Sequence, residues 1–102
     1  MLFCLSTVAF AGNDIDILNN ATLTIKNILN LQGRPTVYIR FGGHLIIDGG
    51  VLTNAVFSLE YGSKITIKNG GKIVMRTNNT FNPPYGVTVN IINGQIIGSN
   101  DF

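Results

Sequence analysis

Carboxylates are the residues of this chain best suited to chemistry, because paired acids can hydrolyse glycosidic bonds and clustered acids can bind calcium. Asp48 and Glu60 end two different apolar segments, so we expect them at different corners of the fold. Asp14 and Asp16 would share one side of a strand, but they form an isolated pair near the start of the chain. The full set of acids is Asp14, Asp16, Asp48, Glu60 and Asp101. We therefore predict that the chain is not an enzyme and has no catalytic residues, no cofactor and no metal site.

Nitrogen and sulfur ligands are equally sparse. His44 is the only histidine and Cys4 the only cysteine, whereas a zinc site needs several such ligands together. We expect His44 to be a solvated outward residue. The seven basic residues are scattered and no aromatic residues cluster with them, so nucleic-acid binding is not predicted. Lys64, Lys68 and Lys72 form at most a solvated basic strip that could contact an anionic glycan.

Three aromatic residues each precede a glycine at the start of an apolar segment: Phe41, Tyr61 and Tyr85. Their equal offset from the segment that follows predicts one column of rings at a corner of a repeating structure. Such a column can be an internal stack that stabilises the coils, which is the interpretation we favour. The alternative is a surface on which sugar rings stack.

The elements that would position these residues repeat along the chain. Short alternating segments begin at Leu23, Leu45, Ile65 and Val89, which are 22, 20 and 24 residues apart. A period of this length, built from short strands with variable connections, is typical of stacked repeats. The apolar spacing within each segment is two rather than about 3.6 residues, which excludes helical repeats.

Each repeat contains three short strands separated by Gly, Asn or Pro. We therefore predict an all-β fold, a right-handed parallel β-helix (β-solenoid) of about four coils with three faces per coil. Equivalent strands near 22–26, 44–48, 64–68 and 88–92 would form one sheet. The polar residues between the apolar ones would point outward, and the predicted core ladders are Leu23, Leu45, Ile65, Val89 and Ile25, Ile47, Ile67, Ile91.

Two further features complete the predicted sheets and turns. Leu29, Leu52, Ile73 and Ile96 would form a third core ladder after each Gly or Asn corner, and Asn69 would hydrogen-bond to Asn93 in the next coil. The third repeat is longer because it contains TNNTFNPPY between residues 77 and 85. Its two prolines cannot donate hydrogen bonds to a ladder. We predict that residues 77–84 form a protruding loop, which is the segment most free to carry function.

The first eleven residues, MLFCLSTVAFA, differ from the rest of the chain. They are apolar and uncharged, and they end in Ala9-Phe10-Ala11, which is typical of the end of a signal peptide. We predict a signal-peptide remnant at 1–11, an exported mature chain beginning near Gly12, and a β-helix domain over 12–102. A first strand of the domain is the alternative for residues 1–11. The run is too short to span a membrane.

The segments LIIDGGVLTN, GSKITIKNGGKIVM and VNIINGQI resemble right-handed β-helix segments of large exported proteins of Bacteroidetes. Those proteins often carry a C-terminal sorting domain for type IX secretion. The resemblance covers about residues 20–100 and brings no catalytic residues with it. It implies a secreted or cell-surface bacterial protein. We predict that this chain is a fragment of such a protein, incomplete at its C-terminal end, and the alternative is an unusually short solenoid. The implied partners are the rest of that protein or further copies in end-to-end association.

Two functions are compatible with these observations. The first is a non-catalytic structural or adhesive solenoid segment. The alternative is a segment of a carbohydrate-binding or polysaccharide-processing β-helix protein. Catalytic acids in neighbouring sequence would favour the alternative, whereas a sorting domain alone would favour the structural function.

Overall fold

The computed structural model describes residues 8–11, 14–32 and 36–98, and in these ranges it contains twelve β-strands and no helix. It therefore contains no helix that could span a membrane in the described part of the chain. The strands are β1 (Val8–Ala11), β2 (Asp14–Ile17), β3 (Thr22–Ile25), β4 (Ile28–Asn30), β5 (Val37–Ile39), β6 (His44–Asp48), β7 (Val51–Ala55), β8 (Phe57–Leu59), β9 (Lys64–Lys68), β10 (Gly71–Met75), β11 (Thr88–Ile91) and β12 (Gly94–Ile97).

The strands form three sheets that run side by side along the molecule. The first sheet has the order β1-β2-β5-β8, the second β3-β6-β9-β11, and the third β4-β7-β10-β12. From β2 to β10 every third strand along the chain enters the same sheet, and β11 and β12 follow β9 and β10 after only two strands because, among the described residues, the fourth coil has no strand in the first sheet. Apart from β1, neighbours within a sheet pair in parallel. The predicted fold class, an all-β parallel β-helix of about four coils with three faces per coil, is confirmed.

The register of the second sheet is the one that the sequence repeat predicts. Leu23 pairs with Leu45, Leu45 with Ile65, and Ile65 with Val89. The third sheet aligns Leu29, Leu52, Ile73 and Ile96 in the same way. Equivalent positions of successive coils lie above one another because each coil follows the same backbone path as the coil before it, at a strand spacing of about 4.8 Å.

The core lies between the three sheets and consists of aliphatic side chains. In the two middle coils most inward residues are completely buried: Ile39, Leu45, Ile47, Leu52, Ile65, Ile67 and Ile73. Phe57 and Leu59 of β8 are only partly buried. The outward residues predicted between them are exposed or half-buried, as in the alternating pattern of β9. The prediction was wrong for Ile91, which is 37% exposed. In the described part of the chain β11 is the edge strand of its sheet, so no coil covers the second side of Ile91.

A bulge in the third sheet accommodates a polar residue within strand β7. Thr53 pairs with Val74 and Ala55 pairs with Met75, so Asn54 is the extra residue. Asn54 has a φ of 58°, a conformation that Asn tolerates better than most residues. Its side-chain amide donates to Asn30 Oδ1 of the preceding coil at 2.6 Å. An inter-coil Asn–Asn bond is therefore present, but at Asn54 and not at the predicted Asn69.

The N-terminal strand differs in direction from the others. β1 pairs antiparallel with β2, with Ala11 opposite Asp14. It lies within the segment that the sequence predicts to be a signal-peptide remnant, and residues 1–7, 12 and 13 are outside the described residues. Cleavage after Ala11 and an exported mature chain stay predictions.

The fourth coil departs from the repeat in the first sheet. Where β2, β5 and β8 stack as strands, the fourth coil contributes residues 76–84, here called the fourth-coil loop. Residues 77–80 at its tip are exposed, as the two prolines and the extra length predict. The loop is not wholly protruding, however, because Phe81 is only 3% exposed and packs on the core.

Candidate functional site

The acids of the described residues mostly connect one coil to the next. Asp16 accepts two hydrogen bonds from Arg40, from Nε at 2.8 Å and from Nη2 at 2.7 Å. Arg40 also donates from Nη1 to Glu60 at 3.3 Å, and the other oxygen of Glu60 accepts the N–H of Phe41 at 2.9 Å. One guanidinium therefore joins three successive coils, because β2 and β5 belong to the first two coils and Glu60 follows β8 in the third.

The electrostatics of Arg40 reflect this arrangement. Its pKa is raised chiefly by the hydrogen bond to Asp16; burial opposes the increase, and Glu60 adds to it. The guanidinium carbon also lies 5.0 Å from the centre of the Tyr38 ring, within the range of a cation–π contact. A guanidinium with such partners stays charged and held in place, so it contributes to cohesion and not to proton transfer.

The remaining described acids have structural partners too. Asp14 Oδ1 accepts the N–H of Thr36 at 2.8 Å, and Asp48 accepts the side-chain amide of Asn69. Asp48 and Glu60 lie at different corners, as the sequence predicts, because Asp48 ends β6 in the second sheet and Glu60 follows β8 in the first. Asp101 lies outside the described residues.

His44 lies on the outer face of the second sheet. Its Nε2 is 2.8 Å from Thr66 Oγ1 of the next coil. Burial, followed by the positive charge of Lys64, lowers the pKa of the imidazole below its ordinary value. Within the described residues no three His, Cys, Asp or Glu side chains converge as a metal site would require. Cys4 lies outside those residues.

The aromatic column is present, but it lies on the surface. The ring centres of Phe41 and Tyr61 are 6.4 Å apart at an angle of 14°, and those of Tyr61 and Tyr85 are 6.4 Å apart at 34°. The exposed fractions rise along the stack from 53% to 64% to 93%. The interior position that we favoured for these rings was therefore wrong, because buried Gly43 and Ser63 occupy the inward positions at this corner.

Two glycines explain why each ring lies against the next coil. Gly62 has a φ of 84°, and a Cβ there would meet the ring of Phe41 at 2.6 Å. Gly86 has a φ of 90° and is covered in the same way by the ring of Tyr61. The glycine of each aromatic–Gly pair therefore has two functions: it allows the chain to turn at the corner, and it leaves room for the ring of the preceding coil. We call Phe41, Tyr61 and Tyr85 the aromatic stack.

A cavity of about 190 Å³ lies beneath the fourth-coil loop. Phe57 and Leu59 of β8 and Met75 of β10 line one side, and residues from the loop line the other. Phe81 meets Phe57 edge to face, with ring centres 5.7 Å apart. The described residues that line the cavity are Val56, Phe57, Leu59, Met75, Asn79, Thr80, Phe81, Asn82 and Pro84.

The sequence predicted neither this cavity nor the bridging function of Arg40. The 24-residue interval from Ile65 to Val89, with its two prolines, is a signal for the loop above the cavity, although no local pattern indicates that Phe81 is buried. Arg40 had no comparable signal, since its partners depend on which outward side chains lie diagonally opposite.

The described surface thus offers three features outside the ordinary ladder: a network of ion pairs, a stack of exposed rings and an uncharged cavity. None of them brings a nucleophile and a base together. Comparison with protein-family models, with curated proteins and with solved structures finds no match to this chain.

Proposed function

We propose that this chain is a non-catalytic structural or adhesive solenoid segment of a secreted or cell-surface bacterial protein. The observation that carries the proposal is the use of charged side chains. Asp16, Arg40 and Glu60 connect coils, and Asp14 and Asp48 accept hydrogen bonds from residues of the next coil. Charged residues whose partners lie in neighbouring coils stabilise the solenoid, as expected of a spacer. An enzyme must leave some of its acids and bases available to substrate.

The proposed location outside the cell has a separate basis. It is supported by the apolar segment at 1–11 and by the resemblance of the repeats to exported β-helix proteins of Bacteroidetes. The partners proposed on the same basis are the rest of a larger surface protein or further copies stacked end to end.

Rigidity is the property that a structural segment must have, and it can be measured. Spin labels at Thr22→Cys and Thr88→Cys, in a Cys4→Ser background, would report the distance between β3 and β11 at opposite edges of the second sheet. We expect one narrow distance distribution that a panel of neutral and acidic polysaccharides, with and without calcium, leaves unchanged. Turnover of any polysaccharide that disappears on changing Asp48 or Glu60 would contradict the proposal and favour the enzyme alternative.

Glycan binding is a second candidate, favoured by the exposure of the aromatic stack. Monomeric proteins rarely leave three large neighbouring rings in solvent without a use. Aromatic rings suit the apolar faces of sugars, and their polar edges tolerate water. Retention of the chain on immobilised neutral polysaccharides, weakened in Tyr61→Ala and Tyr85→Ala but unchanged in Lys72→Ala, would support this function. Equal elution of all these proteins and of an unrelated control would exclude it.

A further inference from the structure

The cavity beneath the fourth-coil loop exists because the solenoid loses one strand there. In the first sheet β8 follows β5 in parallel, but the next position is taken by an irregular segment. Phe81 holds this segment down: its ring contacts Phe57, and its N–H donates to the carbonyl of Gly98 at 3.3 Å. The space between β8 and the loop is thus framed on both sides by anchored residues.

We propose that this cavity binds one neutral monosaccharide unit, such as the terminal hexose of a glycan. The inference deepens the glycan-binding candidate above and rests on it. It assigns the specificity of that binding to the fourth-coil loop and gives the aromatic stack the task of contacting the units that follow.

The size of the cavity limits the ligand to about one ring. Sites for drug-sized molecules have volumes of about 300–1,000 Å³. The space here is about 190 Å³, which is too small for such a molecule and large enough for a single six-membered ring with its substituents. A disaccharide would therefore leave its second unit outside.

The lining specifies a ligand that is uncharged but not wholly apolar. Phe57, Leu59, Met75 and Pro84 supply apolar walls, and none of the described residues that line the cavity is charged. Burial of a carboxylate or ammonium group among them would lack a compensating charge and would be costly. Asn79, Thr80 and Asn82 add amide and hydroxyl groups. Within the described residues the Thr80 and Asn82 side chains make no hydrogen bond, so they can serve a hydroxylated ring.

The neighbours of the lining residues connect the cavity to the aromatic stack. Pro84 lines the cavity and Tyr85, the most exposed ring, follows it directly; Leu59 lines it and Tyr61 stands two residues later. One residue of extended chain covers about 3.3–3.6 Å, so the nearest ring begins within about one sugar length of the cavity. A glycan with its end in the cavity would extend over Tyr85 toward Tyr61.

Amide chemical shifts of the full ¹⁵N-labelled chain would test the inference. The probes are glucose, galactose and N-acetylglucosamine, with glucuronate as the charged comparison and phenol as the purely aromatic one. We expect saturable shifts centred on Thr80, Phe81 and Asn82, with a dissociation constant on the order of millimolar for at least one neutral sugar, as befits so small a ligand. Glucuronate and phenol should bind at least about tenfold more weakly.

Two variants separate the cavity from the rest of the surface. Thr80→Trp fills the cavity and should abolish the shifts, whereas Thr77→Trp, on the same loop but outside the lining, should keep them. Asn82→Ala should weaken binding by about tenfold, the usual consequence of losing one hydrogen bond to a ligand. Unchanged sugar binding in Thr80→Trp, or phenol binding as tightly as the sugars, would overturn the inference.

Polysaccharide retention distinguishes failure of the inference from failure of the glycan-binding candidate. Retention that depends on Tyr61 and Tyr85, without any shift from free sugars, would overturn the cavity assignment and leave the candidate intact. Absence of both would overturn both. Tyr85→Ala should weaken retention of the polymer but leave free-hexose binding unchanged, and equal loss of the two would also overturn the assignment.

Discussion

The second sheet has a strand in every coil, whereas the first sheet has the fourth-coil loop in place of its last strand. In the middle coils the inward residues of the second sheet are fully buried, and the exposure of Leu45, Ile47, Ile65 and Ile67 is 0%. Beside the loop the core is open to a cavity. Coils that repeat regularly thus pack closely and leave no cavity for a ligand. A cavity is present where the fourth coil departs from the repeat.

The stacked coils should be the part of the molecule least tolerant of a buried charge. We predict that Ile67→Asp unfolds the protein. An unpaired carboxylate at this fully buried position costs several kcal/mol, against a total stability of about 5–15 kcal/mol. Thr66→Asp, one residue away but pointing outward beside His44, should cost about 1 kcal/mol or less. Circular dichroism and thermal melting measure both, and equal losses would show that the inward and outward faces are assigned wrongly.

The fourth-coil loop should give a smaller and more local response. We predict that Phe81→Ala lowers the free energy of unfolding by about 3 kcal/mol, the low end for a buried Phe, because its ring already borders a cavity. Amide exchange should accelerate in residues 77–82 and stay unchanged in β6 and β9. Tyr85→Ala, which removes a ring that is 93% exposed, serves as the control and should change stability by less than about 0.5 kcal/mol. Uniform acceleration across all strands would mean that the loop is an integral part of the stacked coils.

The same contrast explains what the sequence could predict. Leu45, Ile65 and Val89 recur with alternating polar neighbours, and alternation fixes which side chains point inward. Phe81 has no such context, since it stands between Asn and Thr and precedes two prolines. Its burial depends on a tertiary contact with Phe57, which no local pattern records. Sequence reasoning therefore recovers the ladders and misses the cavity.

The aromatic stack and Arg40 show a second limit. Equal spacing correctly predicts that Phe41, Tyr61 and Tyr85 form one column. It does not say on which side of the backbone the column lies, because Gly and Ser can fill the inward positions at a corner. The bond from Arg40 to Asp16 is diagonal: Tyr38, and not Arg40, is opposite Asp16 in the register. Side-chain length and direction decide such pairs.

The ion pairs sharpen the comparison on the outer face of the stacked coils. We predict that Arg40→Gln lowers the melting temperature by less than Phe81→Ala, because exposed pairs contribute little and are screened by solvent. The difference in melting temperature between the parent and Arg40→Gln should decrease as salt is added, because salt weakens the ion pairs of Arg40 with Asp16 and Glu60 in the parent. Lys72→Gln is the matched control, an exposed cation at the start of β10, and should have a smaller effect. Arg40→Gln and Lys72→Gln curves that coincide at low salt would show that the three-coil bridge does not stabilise the fold.

The smallest effect should come from His44, and its sign follows from its surroundings. Burial and the charge of Lys64 lower the pKa of His44 in the folded protein, so the folded state favours the neutral imidazole more than the unfolded state does. As the pH falls through the ordinary His pKa of about 6.5, the unfolded chain takes up a proton first. The contribution of His44 to stability is therefore fully present above that pH and is lost as the pH falls toward the lower folded-state pKa. In urea unfolding, the free energy of unfolding of the parent should decrease slightly from pH 7.5 to pH 5. The decrease should be smaller in Lys64→Gln, and the part due to this site should be absent in His44→Gln. If the free energy of unfolding of His44→Gln decreases by the same amount, the pH dependence comes from other groups, and the protonation state of His44 does not affect the stability of the second sheet.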